Sequence, residues 1–290
     1  MAITITELCA TFAAEVSKIN ISKELSDEAV DELRTAIDKY GVLVFRNQPL
    51  SDEQQVRFSE YFGDIEIADL KNNITKTSER RLSQMFSDIS NLDKDQNILE
   101  KDGRQRLFNL GNRIWHSDSS FRPVPARYSL LSARAVPVAG GDTQYADMHA
   151  AYDSLDAKTL TEISDLQCEH SLLYSRARLG MAEFTEQEKA DFNPVTQPLV
   201  RTHPSTKRKS LFLSSHIGSV VGLTKPDGRL LIEELTEFAT QEKFVYTHRW
   251  KKDDLVMWDN RRTMHRARKY EDTVEKRDLR RTTIAGEPAR

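Results

Sequence analysis

Beyond residue 127 the apolar residues of this chain are parcelled into short runs separated by polar turns. Residues 128–136 (YSLLSARAV), 198–203, 210–214 and Leu255-Val256-Met257-Trp258 have the length and β-branched or aromatic content of strands. Residues 244–250 alternate cleanly, with Phe244, Tyr246, His248 and Trp250 on one face. Helical patterns flank these runs rather than separating them one by one. Residues 26–40 place Val30, Leu33 and Ile37 on one stripe between a capping Ser26 and a terminating Gly41, and are followed by the apolar run Val42-Leu43-Val44-Phe45. Ser51 and Gln54 have capping-box spacing, residues 147–166 read as helix in two pieces, and 227–240 as one amphipathic helix. No regular strand–helix alternation exists, and no glycine-rich phosphate loop. The pattern predicts a mainly β fold, an antiparallel sandwich or barrel with helices packed against it.

Charge and cysteine usage narrow the function. Across 290 residues, 42 basic and 45 acidic side chains leave a net charge of −3, which argues against a nucleic-acid footprint. Cys9 and Cys168 are too few for a disulfide framework or a thiolate zinc site. The N-terminus lacks a basic leader and carries Glu7 early, and no apolar run approaches the ~20 residues that span a bilayer. A cytoplasmic protein without membrane or nucleic-acid partners is expected, and the exposed strand ends suggest a homo-oligomer. One domain over 1–290 is expected, in which the polar, unpatterned stretch at about 64–110 serves as an active-site lid.

Chemistry concentrates in Trp115-His116-Ser117-Asp118-Ser119-Ser120-Phe121. On a strand, residues two apart share a face, so His116 and Asp118 would offer an imidazole and a carboxylate to one ion. A lone HxD triplet is weak, and such a pair more often just hydrogen-bonds at a strand end. The second element, Trp258 through Arg266, strengthens it, because His265 follows a strand and Arg277, Arg280 and Arg281 come soon after. Two histidines and a carboxylate form the ligand set that favours Fe(II) and leaves one side of the metal open. Arginine is the natural partner of a substrate carboxylate, although three arginines could equally be a solvated stripe.

At this point the sequence resembles the Fe(II)/2-oxoglutarate-dependent dioxygenases of the taurine dioxygenase type, and within them the 2,4-dichlorophenoxyacetate (aryloxyalkanoate) dioxygenases. The resemblance runs from GVLVFR at residue 41 to Arg280-Arg281-Thr282-Thr283 through the blocks WHSDSSF, PARYSLLSARAVP, GGDTQYADM, AAYDSL, PLVRTHP, FVYTHRW and DLVMWDNRRTMHRARKY. It implies a double-stranded β-helix (jelly-roll, cupin-like) core and the co-substrates 2-oxoglutarate and O2. It implies His116, Asp118 and His265 as iron ligands, with Thr143 and Arg277 holding 2-oxoglutarate. Arg281 falls where the family keeps an arginine near the acid group of the substrate, close enough to 2-oxoglutarate to be counted with its binding residues, and Arg280 is an alternative for either arginine role. For a small anionic substrate, Lys71 takes the position of a substrate-binding lysine, and Asn112 and Ser119 flank the metal motif. The implied reaction hydroxylates an aryloxyacetate-type acid, which breaks down to a phenol and glyoxylate, with succinate and CO2 formed alongside.

Four other readings stay open at this stage: oxidation of another small carboxylate, oxidation of a sulfonate such as taurine, a non-catalytic cupin-like binding protein, and a zinc hydrolase using the same three ligands. Trp258 is expected behind the metal, and His149, His170, His203, His216 and His248 have no competing ligand spacing.

Overall fold

The computed structural model describes residues 3–10, 12–67 and 77–288. Lys71 and the central part of the expected lid lie outside them.

Two sheets form the core, a jelly roll. The major sheet has seven strands in the order Thr4–Glu7, Ala14–Ser17, Val42–Phe45, Leu255–Asp259, Ala126–Ala135, Asp278–Ala285 and Ser87–Ser90. Every pairing in it is antiparallel except that of Ala14–Ser17 with Val42–Phe45. The minor sheet sets Thr143–Asp147 between Val245–His248 and Thr263–Ala267.

The period of two along each strand divides the core. Val42, Val44, Leu131, Ala133, Val256, Trp258 and Leu279 face the minor sheet, where they meet Tyr145 and Tyr246. Their neighbours Leu43, Phe45, Tyr128, Leu130, Leu255, Met257 and Ile284 face outward and are covered by Leu33, Ile37 and Phe58 of two helices. Because both faces of Leu255–Asp259 are covered, all five residues are buried, which is why this run reads as continuously apolar. On the far side of the minor sheet, Ala146 and Met264 pack with Ile232 and Leu235 of the helix Lys225–Ala239.

Most of the expected elements are present. The helix Asp27–Tyr40 is capped by Ser26 and stopped by Gly41, and Asp52–Glu60 opens on the Ser51–Gln54 capping box. Residues 147–166 hold two helices, Met148–Asp153 and Ala157–Ile163. The stretch 64–110 differs from a featureless lid. It contributes the edge strand Ser87–Ser90, which pairs with Asp278 to Arg281, and the helix Arg104–Asn109. Four residues reading SDIS carry too little hydrophobic pattern for a sequence reading to mark them as a strand.

Gly41 ties a helix end to the core. Its φ is +70°, and a Cβ there would lie 2.7 Å from Nε of Arg262. Arg262 is fully buried, donates to the carbonyls of Asp38 and Lys39 at the end of that helix, and pairs with Asp147 at 3.1 Å. Gly41→Ala therefore carries the left-handed penalty, roughly 1–2 kcal/mol, and must also displace Arg262. Gly180 is a matched control, with φ +84° and nothing within 4 Å of its would-be Cβ. Urea unfolding should show Gly41→Ala to be the more destabilised of the two. Equal losses would mean that Arg262 yields without cost.

Candidate active site

His265 sits on the minor-sheet strand Thr263–Ala267, and His116 joins it through one isolated antiparallel bridge. The bridge is two backbone hydrogen bonds, His116 N to His265 O at 3.0 Å and His265 N to His116 O at 2.8 Å. The two rings lie 4.2 Å apart, centroid to centroid. Asp118 does not share a strand with His116, contrary to the expectation from spacing. After the bridge the chain turns, and Ser119 takes φ +54°. The turn brings the carboxylate back between the rings, 3.8 Å from Nε2 of His116 and 3.8 Å from Nε2 of His265. Extended geometry is unnecessary here because the turn is held by other contacts. Ser117 Oγ donates to the Thr263 carbonyl at 3.0 Å, and the Asp118 amide donates to Asn260 Oδ1 at 3.2 Å.

The three side chains are oriented as a ligand set. Nδ1 of His116 lies 2.8 Å from the Ile114 carbonyl, so it carries the proton and leaves the Nε2 lone pair toward Asp118. Burial lowers the pKa of both imidazoles, keeping them neutral as metal ligation requires. Burial alone would raise the Asp118 carboxyl. The charge of Arg281 and a 2.7 Å hydrogen bond from Ser129 oppose it, and the group is held below the usual carboxylate range. Asn260 fixes Ser129 in turn at 2.9 Å and accepts from Trp258 Nε1 at 2.9 Å. Nitrogen and oxygen donors within 4.8 Å of one another, with neutral imidazoles and an ionised carboxylate, fit a divalent metal.

A second such grouping, Asp38, His203 and Asp259, is an ion-pair cluster instead. Asp259 accepts from His203 at 2.9 Å, and Arg261 fills the remaining space, 2.6 Å from Asp259.

Two cavities adjoin the triad and share Ile89, Asn112, His116 and Arg281 in their walls. The smaller, about 310 Å³, is lined by His116, His265, Thr143, Asn112, Arg277 and Arg281. Arg277 is buried there and forms no ion pair with a described residue. It donates to the Gly141 and Ile89 carbonyls, each at 3.3 Å, and its Nη2 has no partner among the described residues. Thr143 Oγ1 accepts from Trp250 Nε1 at 2.9 Å, which leaves its own proton to donate. The larger cleft encloses about 820 Å³ including its open mouth, and reaches Asp118, Ser119, Asn112, Phe108, Phe121 and His216.

The chain as a whole is similar to known proteins. The model of the family described as taurine catabolism dioxygenase TauD, TfdA family, matches residues 4–283. The chain belongs to the TauD, TfdA family. Among its relatives, an alpha-ketoglutarate-dependent 2,4-dichlorophenoxyacetate dioxygenase of Cupriavidus pinatubonensis is 44% identical, with 98% of each chain covered. An (S)-phenoxypropionate/alpha-ketoglutarate-dioxygenase of Sphingobium herbicidovorans is 36% identical, with 99% of this chain and 96% of the relative covered. The crystal structure of AAD-2 in complex with Mn(II) and N-oxalylglycine superposes with a TM-score of 0.97 at 53% identity over the whole of both chains.

Within this TauD, TfdA-family chain, the fold brings together most of the residues singled out from sequence. His116, Asp118, His265, Thr143, Asn112, Arg277 and Arg281 all line the cavities around the triad, and Ser119 joins them in the larger one. Ser119 Oγ is spent on Glu66 at 2.8 Å. Arg281 touches Asp118 directly through Nη1 and lines both cavities. Arg280 points elsewhere, pairing with Asp52 at 2.7 Å and with Asp278. It therefore meets neither cavity's acid. Sequence reasoning missed Ser129, Asn260 and His216. His216 is buried beside His116, with ring centroids 6.0 Å apart. Nothing in its local sequence distinguishes it. Trp258 lies behind His265 as expected, 4.7 Å between ring centroids.

Proposed function

We propose that the protein is an Fe(II)- and 2-oxoglutarate-dependent dioxygenase of aryloxyalkanoate acids, cleaving an aryloxyacetate-type substrate to a phenol and glyoxylate. The observation that carries this reading is the pairing of a His–Asp–His triad with a buried guanidinium that forms no ion pair across the adjoining cavity. The full-length likeness to 2,4-dichlorophenoxyacetate and phenoxypropionate dioxygenases, and to a protein crystallised with Mn(II) and N-oxalylglycine, supports it.

His116, Asp118 and His265 would hold the metal, which with 2-oxoglutarate and O2 supplies the oxidising power for attack on a C–H bond. Arg277 would pair with the far carboxylate of 2-oxoglutarate through Nη2, which has no partner among the described residues, and Thr143 would donate its hydroxyl to the same co-substrate. Arg281, bound to Asp118 and facing both cavities, would hold that ligand's orientation and present positive charge to incoming acids. Ser119 would shape the turn, and Asn112, which reaches both cavities, would hydrogen-bond at their junction. Hydroxylation at the carbon bearing the ether oxygen yields a hemiacetal, whose collapse releases phenol and glyoxylate.

The test is to load the protein with Fe(II) and 2-oxoglutarate without oxygen and look for the weak visible charge-transfer band of the chelate. Air is then admitted and succinate followed against aryloxyacetates, other aryl acids and sulfonates. A band with aryloxyacetate-stimulated succinate is expected. Stimulation by a sulfonate alone would transfer the protein to sulfonate oxidation, and no band would sink the iron assignment in favour of a zinc hydrolase or a binding protein.

A further inference from the structure

Behind the triad, three hydrogen bonds converge on one side-chain amide. Asn260 is buried in the turn between the strands Leu255–Asp259 and Thr263–Ala267. Its Oδ1 accepts from the Asp118 amide at 3.2 Å and from Trp258 Nε1 at 2.9 Å, and its Nδ2 donates to Ser129 Oγ at 2.9 Å. Both partners of Oδ1 are N–H groups, which only donate, so the amide cannot be turned end for end. Its nitrogen also only donates, so Ser129 must accept from it. The single proton of the Ser129 hydroxyl is then directed at Oδ2 of Asp118, 2.7 Å away. The same amide holds Trp258, whose ring centroid lies 4.7 Å from that of His265.

Asn260 is itself fixed by residues outside the triad. Arg201, buried on the strand Val200–Thr202, donates to the carbonyls of Asn260 and Arg261. Asp259, next to Asn260 in the chain, is held by Arg261 at 2.6 Å and by His203 at 2.9 Å. An aspartate, by contrast, turns easily about its Cβ–Cγ bond, so nothing within Asp118 sets the plane of its carboxylate. Ser129 and Asn260 are 0% and 1% exposed, so bulk solvent does not replace a bond lost between them.

We propose that Asn260, acting through Ser129, is a positioning residue for the metal centre. It sets the direction of the Ser129 hydroxyl, and that hydroxyl sets the plane in which Asp118 meets the ion. This deepens the iron and 2-oxoglutarate reading above and rests on its ligand assignment, independently of which aromatic acid is oxidised.

Two measurements test the assignment: titration of the metal-free protein with Mn(II), followed by the paramagnetic resonance of the free ion, and the visible band of the anaerobic Fe(II)–2-oxoglutarate complex. Ser129→Ala and Asn260→Ala should each weaken Mn(II) binding about 10- to 100-fold and displace the band. The double variant should bind Mn(II) no more weakly than Asn260→Ala alone, because the amide acts through the hydroxyl. Ser132→Ala is the control. Ser132 is buried in the same strand as Ser129, Ala126–Ala135, but donates to Gln55 Oε1 at 2.6 Å rather than toward the triad. Its loss should lower Tm and leave Mn(II) affinity unchanged. Additive losses in the double variant would show that Asn260 does not act through Ser129. Unaltered Mn(II) affinity in a folded Ser129→Ala, or an equal loss in Ser132→Ala, would overturn the positioning role. If the unchanged protein bound no Mn(II), the ligand assignment would fall and this role with it. Mn(II) binding without a 2-oxoglutarate band would overturn the co-substrate reading alone, and the Mn(II) titrations would still decide the role of Asn260.

Discussion

His116→Ala should leave a folded protein that neither retains iron nor turns over 2-oxoglutarate. The imidazole gives up a hydrogen bond to the Ile114 carbonyl and ring contacts with His265 and His216, but the bridge to His265 is made by backbone atoms that alanine keeps. Its loss from the triad is different in kind. Asp118 and His265 remain as two ligands 3.8 Å apart, and two ligands cannot define one face of an octahedral ion. Even residues that merely orient a ligand alter metal affinity by about 10- to 100-fold, so removal of a ligand should exceed roughly 100-fold. Metal content after dialysis and succinate formation are the two readouts. Retained iron with retained turnover would overturn the ligand assignment, and retained structure can be checked by Tm.

Arg277→Ala should raise the 2-oxoglutarate concentration needed for half-maximal rate by two orders of magnitude or so, while the requirement for the aromatic acid stays nearly constant. Truncating one partner of a buried charge pair costs about 2–5 kcal/mol, or roughly 30-fold to several thousand-fold. Arg277 is buried, forms no ion pair with a described residue and keeps Nη2 unsatisfied, so no neighbour competes for the incoming carboxylate. Separate titrations of the two acids in steady-state assays decide the matter. A larger effect on the aromatic acid would exchange the roles given to Arg277 and Arg281.

The legibility of this protein in its sequence follows from where pattern is strong. Leu255 to Trp258 were readable because burial on both faces demands an unbroken apolar run, and the helix caps at Ser26 and Ser51 because hydrogen bonding there demands particular side chains. The triad was readable as residue types but not as geometry. His116 and Asp118 meet through a turn stabilised from Asn260 and Thr263, which lie about 140 residues away in the chain. Such support is invisible to spacing rules. Ser87–Ser90 escaped because an edge strand next to arginines carries polar residues on both sides.

The groups around the triad and the apolar lining of the larger cleft have different architectural origins. Thr143, His265 and Arg281 stand on strands, and Arg277 immediately precedes one. Phe108, Phe121, Leu172, Arg176 and His216, by contrast, belong to short helices and connections between strands. Changes that alter which acid is accepted can therefore accumulate in the connections while the sheet pairings stay intact. The scaffold that handles oxygen is insulated from adaptation to new substrates, so a lineage built on this plan can acquire a taste for an unfamiliar aromatic compound in a few substitutions without risking the iron centre.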